Sequence, residues 1–485
     1  MNTSRTWRIV FFLTLVLILF QGLVHHAGAS DDAFEKNTAS LDWSRITVLD
    51  LETAQRFAMA DNPSIQATEV RIQQAKERIS QTRADYWPRL DATASASRIW
   101  MPDNDYQDNL FTARMFDPEA TIDDPQDYYR AGLTASWMLF DGFERRYRNR
   151  QALNAKYQTI SARDDARRLL LSSVSLSFLS AELARENIGI ARAEEAFFKD
   201  LLEEAKNKRH IGTGSLSDEL NFQIQVNAAI ADRIQAEGAY RTALHSLAAL
   251  LGLADASLPT HVELAPLEEA SPDEMQVPDI EQMVAYALEH RPEILQGQLA
   301  IQNASLEKKM ANSNNAPTIN LTASVSGERE ENTRFEGDDF GNTIGLNMTF
   351  NLFSGGLYRA QAREAMQKEI EARKLLEALK ISITSEIRNT VTNVITFQTQ
   401  LKLQQSISRL SQENRDLVEK EYKAGQASLV RLNESQRALT TTQNRTALAL
   451  VALRQSWWSL MSETGMINED EAFNYLNNIR RNDNQ

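Results

Sequence analysis

Two short segments place glycine, serine and leucine at one spacing, Gly-x-x-Ser-Leu. They run from Gly212 to Leu216 and from Gly425 to Leu429. Glycine supplies the positive φ that a reversal between two helices needs, and a serine hydroxyl can cap the helix that follows. These residues act on backbone conformation, and their spacing predicts two helix–turn–helix tips. The predicted tip residues are Gly212, Gly214, Ser215, Leu216, Gly425, Ser428 and Leu429.

Residue types that carry catalysis are missing or scattered. The chain has no cysteine, which excludes thiol nucleophiles, Cys-ligated zinc and iron–sulfur clusters. The sequence contains no glycine-rich phosphate loop, zincin motif or nucleophile elbow. The histidines beyond the N-terminal segment do not cluster in sequence: His210, His245, His261 and His290. We therefore expect no enzyme activity and no cofactor or metal site.

Composition points to long helices and away from nucleic acid. The 485 residues carry a formal net charge of −14, whereas phosphate binding needs concentrated Lys and Arg. Only 18 glycines and 11 prolines interrupt the chain. Residues 143–211 hold one glycine and no proline, and residues 357–424 hold neither. Each stretch predicts a helical rod of about 70 residues and roughly 105 Å, whose apolar stripe needs a coiled-coil partner.

The N-terminus has the three parts of a secretory signal peptide. Arg5 and Arg8 form a basic region, residues 9–20 are almost wholly apolar, and Ala27-Gly28-Ala29 has the small residues of a cleavage site. The alternative is an uncleaved anchor, but the apolar run is short for a bilayer. We expect residues 1–29 to be a signal peptide.

The rest of the chain shows an internal sequence repeat. Pro63 and Pro88 recur as Pro292 and Pro317, both shifted by 229 residues. Leu-Phe-Asp-Gly at 139–142 recurs as Leu-Phe-Ser-Gly at 352–355, and the two tips and residues 247–252 also recur, all shifted by 213. A constant shift at several anchors predicts a tandem repeat. The expected units are repeat 1 at 46–253, a linker at 254–278, repeat 2 at 279–466 and a tail at 467–485.

Each repeat shows the same order of elements. A helix over 49–86, capped by Asp50, broken near Asn62-Pro63 and stopped by Pro88, precedes two alternating strands. The strands are predicted at 90–98 and 131–139 in repeat 1 and at 318–326 and 343–352 in repeat 2. A turn-rich acidic loop is expected over 101–127, and a second acidic loop over 327–341. Each rod is followed by its tip and a further helix, at 216–251 and 429–461.

The strands alternate apolar and polar residues over 9–11 positions. This pattern suits a transmembrane strand with one face to lipid, and equally a half-buried strand of a soluble sheet. Four strands cannot close a membrane barrel, whose minimum is about eight, and an open edge is not tolerated in lipid. If the strands lie in a membrane, several protomers must therefore pool them.

This ordered set, repeated behind a signal peptide, resembles the TolC-type outer-membrane efflux protein family over about residues 46–465. The resemblance implies an α+β membrane protein: a homotrimer in which four strands per protomer build a shared 12-strand β-barrel, above a long α-helical coiled-coil barrel across the periplasm. It also implies the exit duct of a tripartite efflux pump or type I secretion system in the outer membrane of a Gram-negative bacterium. The implied partners are a periplasmic adaptor protein, an inner-membrane ABC or proton-driven transporter, and outer-membrane lipid.

The resemblance also assigns roles at the tips. Asp218, six residues after Gly212, matches the family's acidic tip residue, and Tyr422, three before Gly425, matches its tyrosine partner. The sequence departs from the family where Ala427 replaces an expected arginine and Arg431 replaces an acidic residue. We hypothesise that Asp218 bonds Tyr422 or Arg431 to hold the tip shut. Adaptor docking on the tip residues is likewise implied by the resemblance.

Glu434, nine residues after Gly425, keeps the next acidic position of the family pattern. Repeated by three-fold symmetry, it would form a narrow acidic ring in the pore. The plain alternative for all these charged residues is a solvated helix face. For the whole chain, the alternative function is a secreted periplasmic coiled-coil scaffold or adaptor.

Overall fold

A computed structural model describes residues 43–330 and 332–467. The predicted signal peptide lies outside the described residues, as does the tail from residue 468. A 3-10 turn, Trp43–Arg45, belongs to an N-terminal unit that ends at Ile46, and the chain from Thr47 forms a second unit.

The two repeats and the linker contain six strands and nine helices among the described residues. Repeat 1 contains, in chain order, β1 (Val48–Leu49), α1 (Leu51–Asp61), α2 (Pro63–Ala84), β2 (Arg89–Ile99), α3 (Asp103–Phe116), β3 (Gln126–Phe140), α4 (Glu144–His210) and α5 (Leu216–Leu250). The linker contains β4 (Glu263–Leu264) and a 3-10 turn, Asp273–Met275. Repeat 2 contains α6 (Ile280–His290), α7 (Pro292–Ser313), β5 (Thr318–Glu330), β6 (Phe340–Thr349), α8 (Leu357–Lys423) and α9 (Leu429–Thr464).

Two long helices dominate the chain, as the scarcity of glycine and proline predicts. α4 and α8 each run for 67 residues, which is about 100 Å at 1.5 Å per residue. Shorter helices pack along them: α5 joins the tip half of α4 through Arg233 and Glu195, 2.6 Å apart. α2 joins the other half, where Asn149 Nδ2 donates to Thr82 Oγ1 at 2.9 Å.

The backbone repeats as the sequence does. Gly142, Gly212 and Gly252 have φ of +66°, +81° and +82°, and their partners 213 residues later have +61°, +75° and +84°. Phe143, at φ +72°, takes the left-handed position that Gly356 takes in repeat 2. The N-caps also agree with expectation: Asp50 accepts from Thr53 N at 2.7 Å, and the helix breaks at Asn62 before Pro63.

The four long strands form one antiparallel sheet in the order β2-β3-β5-β6. The register joins Leu90 to Ala135 and Ala135 to Ala323, so the predicted apolar positions share one face. β5 and β6 continue this face, with Ala323 opposite Ile344. The two outer strands, β2 and β6, each leave one edge without a strand partner among the described residues.

Several predicted element bounds need correction. β3 begins at Gln126 and not at Ala131, and the second acidic loop is shorter than 327–341, because β5 runs to Glu330 and β6 begins at Phe340. The segment 101–127 is not all loop, because it contains the helix α3. Asp103 and Asp105 lie in its first turn, where negative charge favours a helix. The last strand ends at Thr349 and not at Leu352, because its partner strand begins at Thr318, directly after Pro317, which has no N–H to extend the ladder.

Hydrogen bonds and an ion pair join the linker to helices of both repeats. Glu274 receives Arg454 Nε at 2.9 Å, and its backbone carbonyl accepts from Gln398 Nε2 at 3.0 Å and Trp457 Nε1 at 2.9 Å. Arg185, on α4, donates to the carbonyl of Leu264. The linker thus bridges the long helix of repeat 1 and the helix pair of repeat 2.

Candidate functional site

Both tips are tight reversals built on a left-handed glycine. At the first, Gly212 follows α4, and the amides of Thr213 and Gly214 both donate to Lys208 O at 2.9 Å. At the second, the amides of Gln426 and Ala427 donate to Glu421 O at 2.8 and 3.2 Å. These bonds satisfy carbonyls that the end of a helix leaves free.

The two serines cap the helices that leave the tips, as predicted. Ser215 Oγ accepts from Ser217 N at 3.1 Å, and Ser428 Oγ accepts from Arg431 N at 3.3 Å. Gly214 lies so close to Lys208 and Arg209 that an added Cβ would meet Arg209 N at 2.8 Å. Leu216 is 51% exposed, so this tip presents an apolar side chain to solvent in the single chain.

An ion pair spans each reversal. Arg209 Nη1 lies 2.7 Å from Glu219 Oε2 at the first tip, and Arg431 Nη1 lies 3.0 Å from Glu421 Oε2 at the second. Each pair joins residues ten apart in sequence, on the two helices that flank a turn. Arg431 is therefore held by its own tip.

Tyr422 connects the two tips of one chain. Its ring meets the Phe222 ring edge-on, with centroids 6.2 Å apart, and Lys208 Nζ lies 5.6 Å from its centroid. Burial raises the pKa of the Tyr422 hydroxyl, and the nearby charges of Asp218 and Glu204 raise it further. Tyr422 borders an apolar cluster that both tips share, built from Phe198, Phe222, Val226, Val418 and Leu432 among others.

The charge of Asp218 acts on the Tyr422 hydroxyl by raising its pKa, whereas Arg431 pairs with Glu421. Across the described chain, no hydrogen bond or ion pair joins Asp218 to Tyr422 or Arg431. Glu434 is exposed on α9. Beside it, Asn433 Nδ2 donates to Asn221 Oδ1 at 2.9 Å and ties α9 to α5. The latch and the acidic ring stay predictions for an assembly of several chains.

Three tip residues escaped the sequence analysis: Phe222, Lys208 and Glu421. A signal for two of them exists in the repeat itself. Glu421 and Arg431 occupy the positions of Lys208 and Asp218, shifted by 213, so the two tips carry opposite charges at equivalent places. Comparing charges across the repeat would have paired Arg431 with Glu421.

The sheet has one apolar face that the single chain leaves largely exposed. Ile344, Leu346 and Met348 on β6 are 75%, 66% and 65% exposed. The middle of the opposite face carries serine, threonine, asparagine and glycine, and charged residues lie toward its two ends. Trp137 Nε1, at the helix-side end of the apolar face, donates to Tyr86 O at 3.0 Å. A large exposed apolar face marks a surface that another molecule or a membrane covers.

Over residues 43–330 and 332–467, no helix is both long and apolar enough to cross a bilayer. The same residues contain no group of three or more His, Asp or Glu placed to hold a metal ion.

A sequence model described as outer membrane efflux protein matches residues 56–253 and 284–466. The chain belongs to this family. Outer membrane protein TolC of Escherichia coli is 21% identical over 434 residues, which cover 87% of this chain and 83% of TolC. Pyoverdine export outer membrane protein OpmQ of Pseudomonas aeruginosa is 24% identical over 431 residues, covering 87% and 86%.

A crystal structure of a membrane protein from Pseudomonas aeruginosa superposes with a TM-score of 0.70 at 20% identity, over 88% of this chain and 96% of that one. This likeness shows the fold. The resemblance of the sequence to the TolC-type family is thus confirmed, and so is the α+β channel fold. The outer membrane efflux protein family consists of channels of the outer membrane, so the scaffold or adaptor alternative is not favoured.

Proposed function

We propose that three copies of this outer membrane efflux protein form one exit duct across the outer membrane and the periplasm. The observation that carries this proposal is the four-stranded sheet, with an exposed apolar face and two unpaired edges. β2 and β6 run in opposite directions, so the β6 edge of one copy can pair antiparallel with the β2 edge of the next. Three sheets would supply twelve strands, above the minimum of about eight for a closed membrane barrel.

Apolar stripes on the helices support the same assembly. Leu216, Leu220 and Ile224 lie along one face of α5 at a spacing of four residues, each more than half exposed. Leu403, Ile407 and Leu410 form a similar exposed stripe on α8. Stripes at helical spacing need a partner helix, and neighbouring protomers would provide it. The number three comes from the family resemblance.

The tips would be the periplasmic end of the duct. There the proposed latch would join Asp218 to Tyr422 or Arg431, and three Glu434 side chains would surround the pore. The exposed tip residues, Leu216 above all, would meet a periplasmic adaptor protein, which connects the duct to an inner-membrane ABC or proton-driven transporter. The relative OpmQ is named for pyoverdine export; by analogy, this duct would move substrates from its pump to the exterior.

Planar bilayer recording of the purified protein tests the duct and its latch together. We expect discrete single-channel conductance from the wild-type protein, and a rise of several-fold in conductance for Asp218→Ala combined with Arg431→Ala. The rise follows because removing the charges at the tip frees the helices that narrow the pore. Glu219→Ala, which breaks the ion pair within the first tip, is the matched control and should change conductance little.

An absence of channels from protein that is folded and inserted would contradict the duct. Channels whose conductance does not respond to Asp218→Ala with Arg431→Ala would contradict the latch alone.

A further inference from the structure

The polar face of the sheet carries charge at its two ends only. At the helix-side end, Arg89 Nε lies 2.9 Å from Asp91 Oδ1 on the same face of β2. At the far end, Arg130 on β3 faces Glu328 on β5. The positions between them on this face of the four strands are uncharged: Thr93, Ser95, Ser97, Gly132, Thr134, Ser136, Asn320, Thr322, Ser324, Ser326, Gly341, Thr343, Gly345, Asn347 and Thr349.

Arg130 and Glu328 form a direct cross-strand pair. The register places them opposite each other, and Arg130 Nη2 lies 2.9 Å from Glu328 Oε1. Across β3 on the other side stands Ser95, which is neutral. One pair further out, Glu330 is opposite Tyr128 at the last residue of β5, where the strand gives way to loop. The inner pair, Arg130 and Glu328, is therefore charge-balanced, whereas Glu330 lies at the rim.

A second pair at the same end offers a contrast. Arg98 on β2 binds Asp127 on β3 through two bonds, Nε–Oδ1 at 2.7 Å and Nη2–Oδ2 at 2.8 Å. Arg98 follows Leu90, Ala92, Ala94 and Ala96 at a spacing of two, so it lies on the apolar face. Ion pairs thus occur on both faces of the sheet near this end, Arg130–Glu328 on the polar face and Arg98–Asp127 on the apolar face.

We propose that the three Arg130–Glu328 pairs form a charge-balanced collar inside the exit end of the barrel, so that polar solutes of either charge can leave. The collar rests on the proposed function, because the polar face becomes a lumen only if the sheets close around a pore. Each arginine cancels the field of a glutamate 2.9 Å away. Between the helix-side end and the rim, where hydroxyl and amide groups line the polar face, the collar then adds no net fixed charge that would reject a cation or an anion.

The collar makes a signed prediction for each partner. Glu328→Gln would leave three uncompensated guanidinium groups around the lumen and would concentrate anions there. Arg130→Gln would leave three uncompensated carboxylates and would concentrate cations. Fixed charges of one sign that line a cleft change the local concentration of small ions by roughly tenfold or more.

The absence of cysteine from the chain permits a direct measurement of this local potential. Ser326→Cys places one thiol on the polar face of β5, two residues from Glu328. The full-length protein in its native outer membrane is treated with a cationic and an anionic methanethiosulfonate, both membrane-impermeant, and the labelled chain is quantified by mass. Each rate is divided by the rate of the same reagent with a free thiol.

We expect the normalised cationic and anionic rates on Ser326→Cys to agree within about threefold. Adding Glu328→Gln should lower their ratio by about tenfold, and adding Arg130→Gln should raise it by about tenfold. Arg130→Glu with Glu328→Arg restores the balance and should return the ratio to its starting value. Asp127→Asn removes a carboxylate from the other face and should leave the ratio unchanged.

A thiol that reacts with both reagents at a ratio unmoved by Glu328→Gln and Arg130→Gln would overturn the collar and leave the duct standing. Val325→Cys, one residue away on the apolar face, separates that result from failure of the duct itself. If Val325→Cys reacts as fast as Ser326→Cys, or if Ser326→Cys reacts with neither reagent, the polar face does not line a water-filled lumen.

Discussion

At the scale of single residues, Glu182 on α4 is a buried acid whose charge state depends on its surroundings. It is buried, and burial raises its pKa to about 7, with Arg454 and Arg185 opposing the rise and Glu268 adding to it. The positive charge of Arg454 does not act on Glu182 alone, because Arg454 Nε forms an ion pair with Glu274 Oε1 at 2.9 Å. Glu182 therefore lies under the linker with its proton held near neutral pH.

This raised pKa predicts a pH dependence of stability with a definite sign. The folded chain keeps the Glu182 proton up to about pH 7, whereas an ordinary glutamate loses it near 4.5. Between these values the folded state binds more protons than the unfolded state, so this contribution to stability falls as pH rises. Glu182→Gln should remove that part of the dependence, which thermal unfolding followed by circular dichroism at several pH values would detect.

Glu186→Gln is the matched control, because Glu186 lies one turn along the same helix in an exposed position. The melting temperature of this variant should follow pH as the wild type does. A wild-type melting temperature that rises between about pH 5 and about pH 7, with Glu182→Gln unchanged from it, would contradict this account of Glu182.

At the scale of elements, the turns between sheet and rods show how two copies of one motif diverge. Gly142 and Gly355 occupy equivalent positions with φ of +66° and +61°. A Cβ at Gly142 would lie 2.8 Å from Ala316 Cβ and from Ser313 O, whereas nothing lies within 4 Å of one at Gly355. The first turn packs against α7 and its exit, and the second is open.

Alanine at these two glycines should therefore cost different amounts. Gly355→Ala should lower the free energy of unfolding only by the cost of a left-handed backbone at alanine, about 1–2 kcal/mol. Gly142→Ala adds a close contact with backbone, a further 1–3 kcal/mol by analogy with overpacked cores. Chemical denaturation of the two variants side by side measures the difference. Equal destabilisation would mean that the contacts around Gly142 relax without cost.

The elements also show what the sequence could and could not predict. The rods and their tips were predictable because glycine and proline are so few that their positions mark every break. Helix α3 was missed because Asp103, Asn104 and Asp105 suggest turns, although Tyr106, Leu110 and Ala113 repeat at helical spacing and are its less exposed positions. The end of β6 depends on where Pro317 stops its partner, which alternation in a single strand does not reveal.

The site was predictable in outline only. Glycine and serine at the tips follow from local backbone geometry, so Ser215 and Ser428 were found as caps. The partner of Arg431 depends on how two helices meet across a turn, and the sequence suggested Arg431 only as one of two alternative partners of Asp218. The structure instead places Glu421 beside it, at 3.0 Å. The packing of Tyr422 on Phe222 joins residues of different repeats, which no local pattern reports.

At the scale of the whole molecule, one chain leaves several apolar surfaces exposed. Its sheet has an exposed apolar face and, over residues 43–330 and 332–467, two edges without a strand partner, and its helices α5 and α8 carry exposed apolar stripes. All of these surfaces would be covered at once by copies of the same chain around one axis, with lipid against the apolar face. The chain belongs to the family of outer membrane efflux proteins, and an exposed apolar surface of this kind is expected of a channel in the outer membrane.

The structure of the purified protein in a lipid nanodisc, determined by electron cryo-microscopy, tests the shared barrel most directly. We expect three chains around one axis, with β6 of each chain paired to β2 of the next in a closed barrel of twelve strands. The polar faces of the three sheets should line a continuous pore. Another number of chains, or three sheets that remain separate with lipid or protein between their edges, would contradict it.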